Sequence, residues 1–464
     1  MSSVSSVKSA IQCFLIRVIR VIRDSRVFSV LKQLQKEYCL VELALETVLR
    51  VKRLMNRYFL GCCLTALTLH VCADSYPPLQ PLIDAAKPNE TLRPPPGIYA
   101  GPVTLDMPIT IDGNNQVTID AGGKDTVVYL DTDGAQLRNL HLTNSGESHN
   151  QIDACVQVRG NFNIIKDNIL DNCLFGVDLQ QSDYNIVRRN RISSKPLSLG
   201  LRGDSVRLWY SMGNKITNND ITNSRDMVVW YSKDNLIAGN TSKGGRYALH
   251  FMYSQFNKVE DNVYHDNSVG IFLMYSDGVE VRGNQISHSL GATGMGIGFK
   301  ETSDVIIENN QIVYCATGIY LDLSPYQPDT TNQIIANKIA YNNIGVLFHN
   351  DWIGNVLKNN QFIGNHSQVA IQGARTARRN IWQGNYWDDY SGFDRNGDGI
   401  GDTPYEIYAY ADQIWMDIPS TQFFKGSAIL EVLNFLERLA PFSEPVMILR
   451  DPKPLIHYSN DILN

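Results

Sequence analysis

Two stretches, LHFMYSQFNKVEDNV at 249–263 and GIFLMYSDGVEVRGNQI at 270–286, decide the fold. The second reads as Gly-(Ile/Val)-x-(Leu/Phe)-x-x-Ser followed by (Val/Ile)-x-x-Asn-x-(Ile/Val), and the first keeps that frame with Leu249, Phe251, Ser254, Val259 and Asn262. Apolar residues alternate with others at a period of two, the signature of strands with one buried face. Gly, Asn, Asp and Ser break the alternation before any strand grows long. The motif recurs through Asn168, Asn190, Asn219, Asn240, Asn262, Asn284, Asn310, Asn337, Asn360 and Asn385. Successive gaps run from 21 to 29 residues and average about 24. Such a repeat is that of a solenoid, one coil holding three short strands and three turns. Nothing in it runs ten residues at a 3.6 period, so the expected fold is all-β: a right-handed parallel β-helix of ten or more coils with a short C-terminal helical or irregular module.

Asn is the compositional oddity, forty in all and thirty-three of them between residues 139 and 396. Asn tolerates left-handed turn conformations. Stacked Asn side chains also bond their equivalents one strand spacing above and below. These residues therefore read as builders of turns, with no chemistry assigned. Cys173 and Cys315 each lie five residues past a register Asn, which places them in an interior ladder. With Cys155 they make an odd set lacking a C-x-x-C pair, so a disulfide framework is not expected.

The alternation becomes regular at GIYAGPVTLDMPITIDGNNQVTIDAGG, so the repeat domain is drawn at 97–393, after a Pro-rich linker or cap at 74–96. Residues 406–464 form a C-terminal module for partner docking. Within it, 426–440 carries an amphipathic helix with Ile429, Leu430, Leu433, Leu436 and Leu439 near one face. That helix either caps the last coil or docks on a partner.

Before the repeat, NRYFLGCCLTALTLHVCA at 56–73 reads as a secretory signal. It has a basic start, a dozen apolar residues and a small-residue cleavage site after Ala73. Met55 precedes it, so translation is expected to begin there. Residues 1–54 are then a non-native upstream extension, the rival being a basic membrane-surface helix. Residues 1–73 hold eleven basic and four acidic side chains. The remainder holds thirty and forty-three, so the overall charge of −6 becomes −13. The pI near 5.9 argues against a nucleic-acid partner.

Registering the coils on Asn sorts inward from outward positions. Val206/Leu208, Met227/Val229, Leu249/Phe251, Ile271/Leu273 and Ile297/Phe299 point inward. Arg207/Trp209, Val228/Trp230, His250/Met252, Phe272/Met274 and Gly298/Lys300 point outward. Met252 and Met274 then stack one spacing apart with His250 on the same face, a soft ligand set suited to transient Cu(I). The same residues equally suit an apolar docking patch with a hydrogen-bonded surface His. His349 joins the Met252 column if its coil registers on Asn359, but several coils away. Asp394, Asn396, Asp398 and Asp402 sit at positions 1, 3, 5 and 9 of a calcium-type loop over 394–405, with Gly399 at position 6. Its twelfth position is Tyr405 rather than Glu, and an Asx-rich turn fits as well. Asp322 is a lone outward acid whose coil carries an insertion at 325–331. No paired acids, G-x-S-x-G, Walker A or H-E-x-x-H motif marks an enzyme.

The repeat, LHFMYS at 249–254, FLMYS at 272–276, GNYWDDYSGFDRNGDGIGDTPY at 384–405 and PFSEPVMILRDPKP at 441–454 together resemble the NosD family over 76–464. The resemblance implies a periplasmic, copper-binding β-helix protein that helps assemble the copper centres of nitrous oxide reductase. It implies work beside an ABC-type ATPase and permease and a copper-carrying lipoprotein, with membrane attachment only through those partners. It carries no further ligand residues. The rival class is a carbohydrate-active β-helix enzyme, a lyase or epimerase; a metal-free docking platform is the third.

Overall fold

The structure, a computed structural model, describes residues 76–350, 353–372, 376–409, 427–439 and 446–458. The expected signal at 55–73 and the extension at 1–54 lie outside the described residues.

Short strands wind into a parallel β-solenoid of about 13 turns. One face is a 12-stranded parallel ladder, from Val103–Leu105 to Ser367–Gln372. The other two columns of strands together form a 24-stranded sheet. Coils begin at Thr91–Leu92, slightly before the expected start, and end at Tyr386–Trp387. The interior columns are those expected: Leu249, Ile271 and Ile297 stack beside Phe251, Leu273 and Phe299, all fully buried.

Each register Asn bonds to the next coil through its backbone and its side chain. The Asn262 amide N–H donates to Asn284 Oδ1 at 3.0 Å, and Asn262 Nδ2 donates to the same oxygen at 2.9 Å. Nδ2 also donates to the Ile237 carbonyl in the preceding coil at 3.0 Å. A parallel ladder joins Asn163, Asn185, Asn214, Asn235 and Asn257. One detail differs from expectation. The left-handed turn residue is the one before the ladder Asn, for example Asp167, Asn218, Asp261 and Asn309 (φ 54–58°). The Asn itself is spent on hydrogen bonding and is buried.

Both ends are closed. The helix Gln80–Asp84 buries Leu79 and Ile83 over the first coil. At the other end the cap among the described residues is a strand. Val446–Asp451 pairs antiparallel with Tyr405–Ala409. Asp451, fully buried, accepts from Asn385 N, Asn385 Nδ2 and Trp387 Nε1 at 3.0, 2.9 and 3.3 Å. It thus takes the place of the next Asn in the ladder. The helix Ala428–Leu439 exists where the sequence places it, but Ile429, Val432, Leu433, Phe435, Leu436 and Leu439 face solvent.

The cysteine expectation is corrected. Cys155 and Cys173 form a disulfide across one coil, their Cα atoms 5.5 Å apart, while Cys315 is buried and free. Sequence spacing cannot show this pair, because the two residues meet only when strands on different faces turn inward within one coil.

Two outcomes are expected. Asn262→Ala removes four side-chain hydrogen bonds and strands buried amides, costing roughly 2–4 kcal/mol in urea unfolding. Thiol titration in denaturant without reductant finds one free thiol among Cys155, Cys173 and Cys315, and three after reduction. Breaking this 18-residue link lowers stability by about 3 kcal/mol.

Candidate functional site

The outward residues of the 12-stranded face fall in the columns their alternation predicts. Trp230, Met252, Met274 and Lys300 are successive register partners, as are Val228, His250, Phe272 and Gly298. Met252 and Met274 therefore sit on neighbouring strands about 4.8 Å apart, both partly exposed. A register shift between Asp226 and Val228 sets Tyr247 at the edge of this patch.

His250 departs from expectation. It shares the face, but it is only 8% exposed because aromatic rings roof it. Tyr247 stacks on the imidazole at 4.8 Å, Trp230 meets it edge-on at 5.8 Å, and Phe272 lies 6.0 Å away. Phe272 reaches that place because residue 298 is Gly: an added Cβ would lie 2.4 Å from its ring. Neither imidazole nitrogen has a hydrogen-bond partner, and both are sealed from water. Burial pushes the His250 pKa down to about 4; the Asp226 charge opposes this and Arg246 adds to it. Arg246 packs over Tyr247 at 4.9 Å and is ion-paired to buried Asp226. Arg225 bridges Asp204 at 2.9 Å and Asp226 at 3.6 Å. The patch thus offers two thioethers and a neutral imidazole with unspent lone-pair capacity, a soft and uncharged donor set. An incoming metal reaches the imidazole only when a covering side chain turns aside.

His349 does continue the column, through Lys300 and Asp322. It lies three strands, about 14 Å, from Met274. Lys300 Nζ and Asp322 Oδ2 are 3.0 Å apart, and the rings of Tyr320 and His349 are 6.5 Å apart.

The structure gathers Asp394, Asn396, Asp398 and Asp402 into one loop but turns their oxygens onto the loop's own amides. Asp394 accepts from Gly397, Asp398 and Gly399. Asn396 accepts from Asp398, Asp398 from Ile400, and Asp402 from Arg395. Among the described residues no three His, Cys, Asp or Glu side chains converge to hold a metal. These bonds are those of an Asx-rich turn.

The model of the family described as "Periplasmic copper-binding protein (NosD)" matches residues 195–392, which contain the whole Met/His patch. A Pseudomonas aeruginosa protein named "Probable ABC transporter binding protein NosD" is 27% identical over 388 residues, 78% of this chain and 86% of its own. Over those residues the chain is similar to the NosD family. A Stutzerimonas stutzeri NosD of the same name is 33% identical over 111 residues, 24% of this chain and 26% of its own. Among solved structures, the A-module of the Azotobacter vinelandii mannuronan C-5 epimerase AlgE6 superposes with a TM-score of 0.50 at 17% identity. It covers 64% of this chain and 93% of that one, a likeness of fold.

Outside the family motif, Tyr247 and Gly298 were not legible as site residues. Each acts on His250 through neighbouring coils.

The depressed His250 pKa has a signed consequence. As pH falls from 6.5 the unfolded chain takes up this proton first, so stability present above 6.5 is eroded down to about 4. His250→Leu is expected to shrink the loss of unfolding free energy between pH 7 and 4.5 by about 2 kcal/mol in urea titrations.

Proposed function

We propose that this protein is a periplasmic accessory factor that binds copper, as Cu(I), and hands it on for assembly of the copper centres of nitrous oxide reductase. It works beside an ABC-type permease and ATPase and receives copper from a lipoprotein carrier. Export through the 55–73 signal belongs to the same reading. So does docking of the apolar helix Ala428–Leu439 on the permease. That helix is too short to cross a bilayer, and no helix of the described residues is long and apolar enough to do so.

One observation carries the reading: a buried neutral imidazole with both nitrogens unpartnered, beside two stacked thioethers. Leaving such nitrogens unsatisfied costs free energy that ligation recovers. Thioethers select Cu(I) by softness and let it go again. Because His250 stays neutral down to about pH 4, protons do not compete for it at ordinary pH. Copper here is cargo, so an uncharged, partly covered site suits transfer better than a closed cage.

The test is anaerobic Cu(I) titration of the wild type, Met252→Ala/Met274→Ala and His250→Phe. The double variant is expected to bind at least 100-fold more weakly, and His250→Phe at least tenfold. Equal affinity in all three removes the site, and no bound copper in any of them leaves a metal-free docking platform.

A second reading is favoured by the row of Lys300, Tyr320, Asp322 and His349 beside the 325–331 insertion, which suits a carboxylated saccharide. Proton NMR of polyuronates incubated with the protein would then show unsaturated ends or C5-inverted residues. The accessory reading expects neither.

A further inference from the structure

The end of the solenoid carries a second concavity, remote from the methionine patch. A cleft of about 610 Å3 opens between the turn at 389–393 and the strand Tyr405–Ala409. Tyr390, Phe393, Tyr405 and Tyr408 line it with Ser391, Thr403, Asp389 and Glu406, and among the described residues no Lys, Arg or His does. Its size is that of a small-ligand site.

The two carboxylates differ. Glu406 is spent, with Arg450 Nε 3.4 Å from one oxygen and the Tyr408 hydroxyl donating to the other at 2.8 Å. Asp389 has the Tyr405 hydroxyl, donating at 2.9 and 3.0 Å to its two oxygens. Among the described residues no cation pairs with it. Partial burial pushes its carboxyl above the usual range, and the nearby Asp388 charge adds to this.

The walls are held before any guest arrives. Tyr405 stacks on Trp387 at 4.4 Å, and Tyr390 meets Tyr405 edge-on at 6.2 Å. The Tyr390 hydroxyl lies against residues 392 and 401, both Gly, where an added Cβ would come within 2.0 and 2.1 Å of it. Phe393, by contrast, leaves 71% of its surface in water beside the opening. A hard metal ion would find one unpaired carboxylate among rings, whereas it wants several oxygens. Aromatic side chains beside a carboxylate that lacks a cation are chemistry that suits an alkylated ammonium.

We propose that this cleft binds an organic cation, its ammonium group held by Asp389 and enclosed by Tyr390, Phe393 and Tyr405. A free quaternary ammonium compound and a lysine side chain of a partner present the same chemistry. Nothing in the proposal rests on copper.

Calorimetry on the full chain at low salt tests it with tetramethylammonium and its neutral analogue neopentyl alcohol. Wild type is expected to bind the cation at least tenfold more tightly than the alcohol. Asp389→Asn brings the cation down to the alcohol's level, and Phe393→Ala weakens it several-fold. Both variants keep the wild-type melting temperature. N-acetyl-lysine methylamide forms a third arm: tighter binding than tetramethylammonium assigns the lysine source, weaker binding the free cation. Equal affinity for cation and alcohol, or no effect of Asp389→Asn, overturns the proposal. Should Asp389→Asn melt early, the cation–alcohol ratio and Phe393→Ala decide it alone.

Discussion

A solenoid with three turns per coil must bury backbone amides at corners where no strand partner can reach them. In this chain buried Asn side chains meet that demand. Each accepts from the amide of the coil before, donates to a carbonyl of that same coil and donates to the Asn of the coil after, so one residue ties three coils together. The low fraction of charge and the recurrence of Asn are two sides of this requirement. The corner needs a side chain that both donates and accepts at fixed reach, and an amide does so without burying charge. Asp451 obeys the same rule at the last rung. The ladder ends there, no further amide is wanted, and an acceptor alone completes it.

Because every rung is tied at the corners, the strands between corners hold register, and a period in the sequence becomes a column on the surface. That is why so much was legible in advance. The Met252–Met274 pair, the Trp209–Trp230 pair above it and the distant place of His349 all follow from counting back from Asn. The structure adds a column of four tyrosines at 210, 231, 253 and 275, stacked at 4.8–5.3 Å along one edge. Their faces are spent on one another, so this column stiffens the corner rather than offering a flat platform.

What could not be counted was anything set by contact across coils or across the core. His250 lies in its expected column, yet the shift after Asp226 and the missing side chain at Gly298 let Tyr247 and Phe272 close over it. Outward in register is therefore not the same as open to water. The Cys155–Cys173 bond joins two faces within one coil. The closing strand comes from some sixty residues beyond the coil it seals. In the 394–402 loop the carboxylates accept from the loop's own amides, bonds that residue spacing alone does not show.

A rod with tied rungs also fixes distances. The methionine patch and the last strand of its face, Ser367–Gln372, are separated by four strand steps, about 19 Å along the axis. The aromatic cleft and the closing strand lie beyond that last coil. A flexible carrier would present cargo at any distance from whatever holds its end. Here the surface columns stand at one distance and on one face, because neither the Asn ladder nor its Asp451 terminus can slip by a rung without orphaning buried amides. That rigidity fixes the spacing of two features: the Met252, Met274 and His250 patch in the middle of the solenoid and the aromatic cleft at its end.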